Sequence, residues 1–184
     1  GEVELWHLLH QAHLSEGKED AAWKALARAR ALEPENLTIL GSELLLMPRV
    51  LDVRATEERL DAAWSALRQT ASDLDADACL CFALTSLDVA RRSKHPALHY
   101  QRTSAIVDLG VAAPVDSAHA RDHLRAVRAL LTDLLAGRKP GVDVLYRVGL
   151  GDLVARTPTG GGDDPVQILA RSSLRHLEPM RLAS

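Results

Sequence analysis

Eight histidines are the side chains in this sequence most suited to metal or acid–base chemistry. His7, His10 and His13 recur every third residue, which places them along one side of a helix. The segment HARDH, residues 119–123, has the outer spacing of the metalloprotease motif, but Ala120 stands where that motif has its general-base Glu. His95 and His99 share the spacing of four, and neither pair has an evident third ligand. Structural zinc sites use four ligands, usually including Cys, so we predict packed or solvated histidines and no metal.

The two cysteines, Cys79 and Cys81, lie in an apolar segment that is predicted to be helical. Residues two apart on a helix point to nearly opposite sides, so these thiols cannot form a disulfide with each other. A thiol in apolar surroundings is usually inert, and no G-x-S-x-G turn offers another nucleophile. We therefore predict no catalytic residue, and unpaired cysteines are typical of a cytoplasmic location.

Two glycine-rich segments are candidates for phosphate-binding loops. GLGDLVAR, residues 149–156, has two glycines of the dinucleotide-binding fingerprint and lacks the third. GGGDDP, residues 160–165, lacks the Lys-Ser/Thr that follows a phosphate-binding loop. We predict no cofactor, and we predict that the chain is not an enzyme.

Charge gives little indication of a partner. The net charge is −3, with no basic domain of the kind that binds nucleic acid. Arg121, Arg125 and Arg128 form a basic stripe that could contact an acidic segment of a partner, but Asp122 and Asp133 dilute it, and a solvated helix face is the preferred interpretation. No apolar run reaches the roughly 18–20 residues of a membrane-spanning helix, so no membrane insertion is predicted.

Helices must position these residues, because Ala, Leu, Arg and Glu dominate and β-branched residues are few. Apolar residues make up 47% of the chain and aromatic residues 3%, so the core must consist mainly of Ala, Leu and Val. Apolar spacing predicts an all-α fold with about eight to nine helices. The clearest boundaries are 37–47, 76–91, 96–109, a long helix ending at Gly137, and 165–177.

Several residues predict where the first helices end and begin. Gly17 fits the C-terminus of the first helix, and Asn36 can cap the third. Pro48 is expected to end the third helix, with a loop over 48–55 and Thr56 as the N-cap of the fourth.

The first two predicted helices carry a recognisable pattern. It reads Trp6-x2-Leu9-His10-x2-His13, and then Ala22-x3-Leu26, Ala29 and Pro34. This resembles the tetratricopeptide repeat, whose pattern is W-x2-L-G-x2-Y, then A-x3-F, then P, in a unit of about 34 residues. The resemblance covers residues 3–36. His10 replaces the small residue that lets the paired helices approach closely, and His13 replaces Tyr.

A second, weaker sign of repetition is the segment DAAW, which occurs at 20–23 and again at 61–64. Leu26 and Leu67 follow at the same distance, so the second helix of one hairpin would correspond to the second helix of the next. A third hairpin over 76–109 matches in pattern alone. The alternative to a true repeat is that short segments recur by chance in Ala-rich helices.

The resemblance implies stacked antiparallel helical hairpins that form a superhelix. Proteins of this family usually bind a peptide or helix of a partner protein on the concave face, which the first helix of each hairpin lines. The corresponding residues of the first helix are Glu4, His7, Leu8 and Gln11. Some relatives hold a C-terminal carboxylate with Lys and Asn, and His7 and Gln11 at those places make that mode unfavourable here.

These expectations divide the chain into a helical-repeat domain over 1–137 and capping helices with a flexible loop, 157–164, over 138–184. The predicted function is a non-catalytic protein–protein interaction scaffold, and a homodimer is compatible with it. The alternative is an accessory or dimerisation domain of a larger enzyme, with exposed leucines in LGSELLLM, residues 40–47, as its interface. The start at Gly1 instead of Met would suit such a fragment. A small-ligand pocket lined by His and Trp is a third hypothesis.

Overall fold

The computed structural model describes residues 1–70, 74–90, 92–113 and 118–136, and this part of the chain contains seven α-helices and no strand. The prediction of an all-α fold is confirmed for this part. The predicted loop 157–164 and helix 165–177 lie outside the described residues, as do any eighth and ninth helices. The helices are α1 (Glu2–Ser15), α2 (Glu19–Leu32), α3 (Leu37–Val50), α4 (Val53–Gln69), α5 (Ala76–Ala90), α6 (Pro96–Val111) and α7 (Ala118–Leu135).

A tight turn at Gly17 joins α1 to α2. Gly17 has a φ of 72°, in the left-handed region that favours glycine, so its predicted place after the first helix is confirmed. The backbone N–H of Lys18 donates to the carbonyl of His13 over 2.8 Å, which closes the end of α1. The reversal lays α2 antiparallel to α1.

The start of α3 agrees with the sequence prediction, and its end does not. The side chain of Asn36 accepts hydrogen bonds from the backbone N–H groups of Thr38 and Ile39, over 3.0 and 3.2 Å, and so caps the helix. The expected end at Pro48 is wrong, because α3 continues to Val50 with the proline in its last turn.

The predicted loop over 48–55 is correspondingly too long, and Thr56 is not the N-cap of α4. The cap is Asp52, whose carboxylate accepts from the N–H of Ala55 over 2.8 Å. Thr56 lies one turn inside the helix and is buried, with its hydroxyl donating to the carbonyl of Asp52.

Each helix packs against the next along the chain, and α3, α5 and α7 also pack against one another in succession. Helix α5 lies at the centre, because it contacts α3, α4, α6 and α7 and is buried over most of its length. The main core joins α3 to α7 and includes Leu44, Leu60, Phe82, Ile106 and Leu124. A smaller cluster around Leu26, Ile39 and Leu46 joins the α1–α2 hairpin to α3.

Two glycines allow α5 to lie close to its neighbours. A Cβ atom added at Gly110 of α6 would lie 2.6 Å from the Cβ atom of Cys79, closer than real side chains approach. On the other side of α5, a Cβ atom at Gly41 of α3 would lie 3.3 Å from the Sγ atom of Cys81. The two cysteines therefore point to opposite sides of α5, as their spacing predicts, and each faces a glycine.

The even-numbered helices are linked by long polar side chains. Arg102 of α6 forms an ion pair with Asp61 of α4 and lies over the ring of Trp64, 5.9 Å from its centre. Arg59 of α4 lies over the ring of Trp23 of α2 at 5.6 Å and pairs with the buried Glu43 of α3 over 2.6 Å. The direct contact between α4 and α6 is less extensive than the contacts of α5 with α3 and α6.

Candidate functional site

The four residues that the sequence singles out as a binding surface lie together on one side of α1. Glu4, Leu8 and Gln11 are exposed, and His7 is half-buried. A hydrogen bond from the amino group of Gly1 lowers the pKa of Glu4, so its carboxylate stays charged near neutral pH. The arrangement gives these four residues a common surface, and their binding role stays a prediction.

His7 connects this surface to α3. Its Nε2 atom lies 3.0 Å from the hydroxyl oxygen of Ser42, and that hydroxyl lies 3.2 Å from the carbonyl of Thr38. Because a carbonyl can only accept, the single hydroxyl proton of Ser42 goes to Thr38 and Nε2 of His7 must carry the proton of the other bond. His7 is therefore a fixed donor at the junction of α1 and α3.

The residues of α3 beside His7 extend the surface. Thr38 is exposed, Ser42 is partly exposed, and Leu45 lies on the same side of the helix one turn further and is partly exposed. We name the seven residues Glu4, His7, Leu8, Gln11, Thr38, Ser42 and Leu45 the α1–α3 face. The pattern on α1 predicted four of them, whereas the three on α3 emerge only from the contact between His7 and Ser42.

His10 lies behind this face, at the interface between α1 and α2. It is buried, its Nδ1 atom donates to the carbonyl of Ala22 over 3.2 Å, and its ring stacks on that of His7 with centres 5.8 Å apart. Burial lowers the pKa of His10 below its ordinary value, and the charge of His7 adds to this effect. The imidazole therefore fills the place of the expected small residue as a neutral group, and α1 still pairs with α2.

The other predicted histidine pair does not form a metal site. His99 is buried and its Nε2 atom donates to a carboxylate oxygen of Glu57 over 3.2 Å, whereas His95 is exposed at the start of α6. A hydrogen bond from Ser93 lowers the pKa of Glu57, and the hydrogen bond and charge of His99 lower it further. Among the described residues no group of three or more His, Cys, Asp or Glu side chains could hold a metal ion. The side chain of His119 lies outside this part.

The surroundings of both cysteines disfavour the reactive thiolate form. Burial is the main cause that raises the pKa of both Cys79 and Cys81 to about 12, and neighbouring carboxylates contribute. A thiol with such a pKa is protonated at neutral pH and does not attack an electrophile.

The basic stripe of α7 is engaged within the chain. Arg121 donates to the carbonyl of Ala113, and Arg125 pairs with Asp122 over 2.8 Å on the same helix. Arg128 pairs with Asp108 of α6. Arg125 and Arg128 are exposed, as a solvated helix face would have them, whereas Arg121 is partly buried.

Residues 40–47 do not supply the exposed leucines that the dimerisation hypothesis required. Leu40, Leu44, Leu46 and Met47 are buried in the two hydrophobic clusters, and Leu45 is only partly exposed. The interface proposed on this helix is therefore wrong. Exposed leucines occur instead on α1.

One depression in the described part of the chain bears on the small-ligand hypothesis. An open depression of about 210 Å³ lies between the start of α1 and the end of α2, lined by Glu2, Trp6, Arg28, Ala31 and Leu32. Small-molecule pockets usually enclose roughly 300–1,000 Å³. Trp6 is present but no His is, so the depression does not support the third hypothesis.

Comparisons with protein-family models, with curated proteins and with solved structures gave no match to this chain. The resemblance to the tetratricopeptide repeat therefore depends on the residues of the sequence and on the packing described above. In the described residues, no helix combines the length and apolar character that crossing a membrane requires.

Proposed function

We propose that this chain is a non-catalytic helical-repeat scaffold that binds a peptide or helix of a partner protein on the α1–α3 face. The observation that carries the proposal is the order of helix contacts. Helices α3, α5 and α7 pack in succession, and each even-numbered helix packs between the odd-numbered helices that precede and follow it in the sequence. Stacked antiparallel hairpins have this order of contacts.

Unequal spacing of the two sets of helices supports a curved stack. Gly41 lets the odd-numbered α3 lie close to the odd-numbered α5, and α5 contacts both α3 and α7 more extensively than α4 contacts α6. The even-numbered α4 and α6 are bridged by longer side chains, such as Arg102 reaching Asp61 and Trp64. A stack with one set of helices closer than the other curves toward the closer set, so the odd-numbered helices would form the concave side.

The repeated DAAW segment has a matching role in both copies. The guanidinium group of Arg59 on α4 lies over the ring of Trp23 on α2. In the same way, the guanidinium group of Arg102 on α6 lies over the ring of Trp64 on α4. Both arginines are the seventh residue of their helices. The same cation–π contact thus links each even-numbered helix to the next, which favours a repeat relation over chance repetition.

The α1–α3 face has the composition of a recognition surface for a peptide. Leu8 offers an exposed apolar anchor, Gln11 and Thr38 offer hydrogen-bond donors and acceptors around it, and the Ser42 hydroxyl oxygen can act as a further acceptor. A few apolar anchors supply most of the affinity in such interfaces, and polar groups fix the register.

Selection from a displayed random-peptide library tests this function. The enriched peptides are titrated by calorimetry into the wild type and into Leu8→Arg and Thr38→Arg, both on the α1–α3 face. We expect each substitution to weaken binding at least about tenfold. The matched control is Leu98→Arg, at a leucine of α6 that is 43% exposed and outside the face. Failure to enrich any peptide, or equal weakening by the control, would contradict the proposal.

A further inference from the structure

Helix α1 exposes an apolar stripe on the side opposite to α2. Leu5 is 66% exposed, Leu8 62% and Leu9 40%, and Ala12 is exposed one turn beyond them. The spacing i, i+3, i+4, i+7 aligns these four residues along one side of the helix. Single exposed leucines are ordinary, but a continuous stripe of this kind marks a surface that another molecule covers. We name these residues the leucine stripe.

We infer that the leucine stripe binds the same stripe of a second copy of this chain, with the two α1 helices antiparallel. The stripe is symmetric about a point between Leu8 and Leu9. A two-fold axis through that point places Leu8 against the partner's Leu9 and Leu5 against the partner's Ala12. The symmetry repeats each of these contacts with the two copies exchanged. A self-complementary patch of this kind is what a two-fold symmetric interface requires.

The charges beside the stripe favour the antiparallel arrangement. Glu2 and Glu4 lie in the first turn of α1 and His13 in its last turn. In an antiparallel pair related by a two-fold axis, the same flank of each helix meets, so Glu2 approaches the partner's His13 on one flank. On the other flank Glu4 approaches the partner's Gln11, which can donate to it. A parallel pair would bring the acidic turns of both copies together, which is unfavourable.

The helix dipoles also favour the antiparallel arrangement. An antiparallel pair sets the positive N-terminal end of each α1 beside the negative C-terminal end of the other. Three leucines per copy form a small contact, so we expect a dimer that dissociates on dilution. The dimer shares Leu8, Glu4 and Gln11 with the α1–α3 face and would therefore compete with a bound peptide. Leu5 and Leu9 lie outside that face, so substitutions at these two residues test the dimer without altering the peptide-binding residues.

Sedimentation velocity over roughly three decades of protein concentration tests the inference. The wild type is expected to shift from monomer to dimer, and Leu5→Glu and Leu9→Glu are each expected to raise the dissociation constant at least about tenfold. Leu98→Glu on α6 is the matched control, which should dimerise as the wild type does. Circular dichroism of each variant verifies that the helices are intact.

A charge exchange tests the antiparallel register. Glu2→Lys should weaken the dimer, and the double variant Glu2→Lys/His13→Glu should restore it, because each new lysine meets the partner's new glutamate. A wild type that stays monomeric at every concentration would overturn the inference. A dimer that Leu5→Glu and Leu9→Glu leave intact would overturn it as well, since another surface would then hold the copies together.

Discussion

The hydroxyl of Thr85 on α5 donates a hydrogen bond of 2.8 Å to the carbonyl of Leu44 on α3. This is the carbonyl to which residue 48 would donate in an uninterrupted helix, and Pro48 has no N–H. Thr85 and Leu44 are both buried, so water cannot reach that oxygen. A side chain 41 residues away thus supplies the missing bond, and α3 continues past its proline.

Thr85→Val should destabilise the protein by about 1–3 kcal/mol, because it leaves the Leu44 carbonyl buried without a donor. Pro48→Ala should reduce that loss, since an alanine at this position restores the backbone N–H that the carbonyl lacks. Urea unfolding of both single variants and the double variant measures the coupling.

Thr103→Val is the matched control for this cycle. Thr103 is equally buried, but its hydroxyl donates over 2.7 Å to the carbonyl of His99, which is four residues earlier in the same helix and also accepts the backbone N–H of Thr103. We expect a smaller loss there. Equal losses for Thr85→Val with and without Pro48→Ala would contradict the account.

The helical class and most helix starts could be predicted because they depend on neighbouring residues. Asn36 caps α3 through N–H groups two and three residues away, and Gly17 takes its left-handed conformation in a turn of its own. The continuation of α3 past Pro48 could not be predicted, because the donor to the Leu44 carbonyl is Thr85, which is 41 residues away in the sequence. The N-cap of α4 could have been predicted, because Asp52 accepts from the N–H of Ala55 only three residues later. Thr56 is also a residue type that commonly caps helices, and the sequence alone did not separate the two candidates.

Gly110→Ala should destabilise the protein by about 1–3 kcal/mol, because the new methyl group would overlap the Cβ atom of Cys79 and the side chain of Leu124. Backbone-attached atoms such as this Cβ cannot move aside without moving the helix. The melting temperature or urea midpoint measures the effect. Gly41→Ala serves as the control: its methyl group would lie 3.3 Å from the thiol of Cys81, and the gain in helix propensity of about 1 kcal/mol should offset the crowding. Equal destabilisation by both would contradict this packing.

Stability should fall as the pH drops below about 6.5, the ordinary pKa of histidine. Burial lowers the pKa of His10 in the folded state, so in this range the unfolded chain binds a proton that the folded chain excludes. The free energy of unfolding therefore decreases with falling pH, by at most about 1.4 kcal/mol per pH unit from this group. His10→Gln keeps a donor for the Ala22 carbonyl but cannot titrate, so its unfolding free energy should change less between pH 7.5 and 5.5. Identical pH dependence of the two proteins would count against the neutral, buried His10.

Both cysteines should resist alkylation in the folded protein. With a pKa of about 12, each thiol is almost entirely protonated at pH 8. Cys79 is buried beside Gly110 of α6, and Cys81 is partly buried beside Gly41 of α3. Mass spectrometry after iodoacetamide treatment should find no label on the native chain and two labels in urea. Rapid labelling of either residue without urea would contradict the raised pKa of its thiol.

The candidate site was predictable only in part, for a similar reason. The spacing of Glu4, His7, Leu8 and Gln11 places them on one side of a helix, which is a local property. Ser42 joins them through a hydrogen bond between residues 35 apart, and no local pattern marks that bond. The exposed leucines were likewise expected on α3, whose own apolar residues turned out to be buried by α5 and by the α1–α2 hairpin.

Amide chemical-shift mapping tests the central claim most directly. A peptide from the library selection is titrated into the isotopically labelled chain, and the perturbed backbone amides are located by NMR. The account predicts that they concentrate in α1 and α3, around His7, Leu8, Gln11 and Ser42, and that Thr38→Arg removes the perturbation. Perturbations confined to the even-numbered helices, or none at saturating peptide, would contradict it.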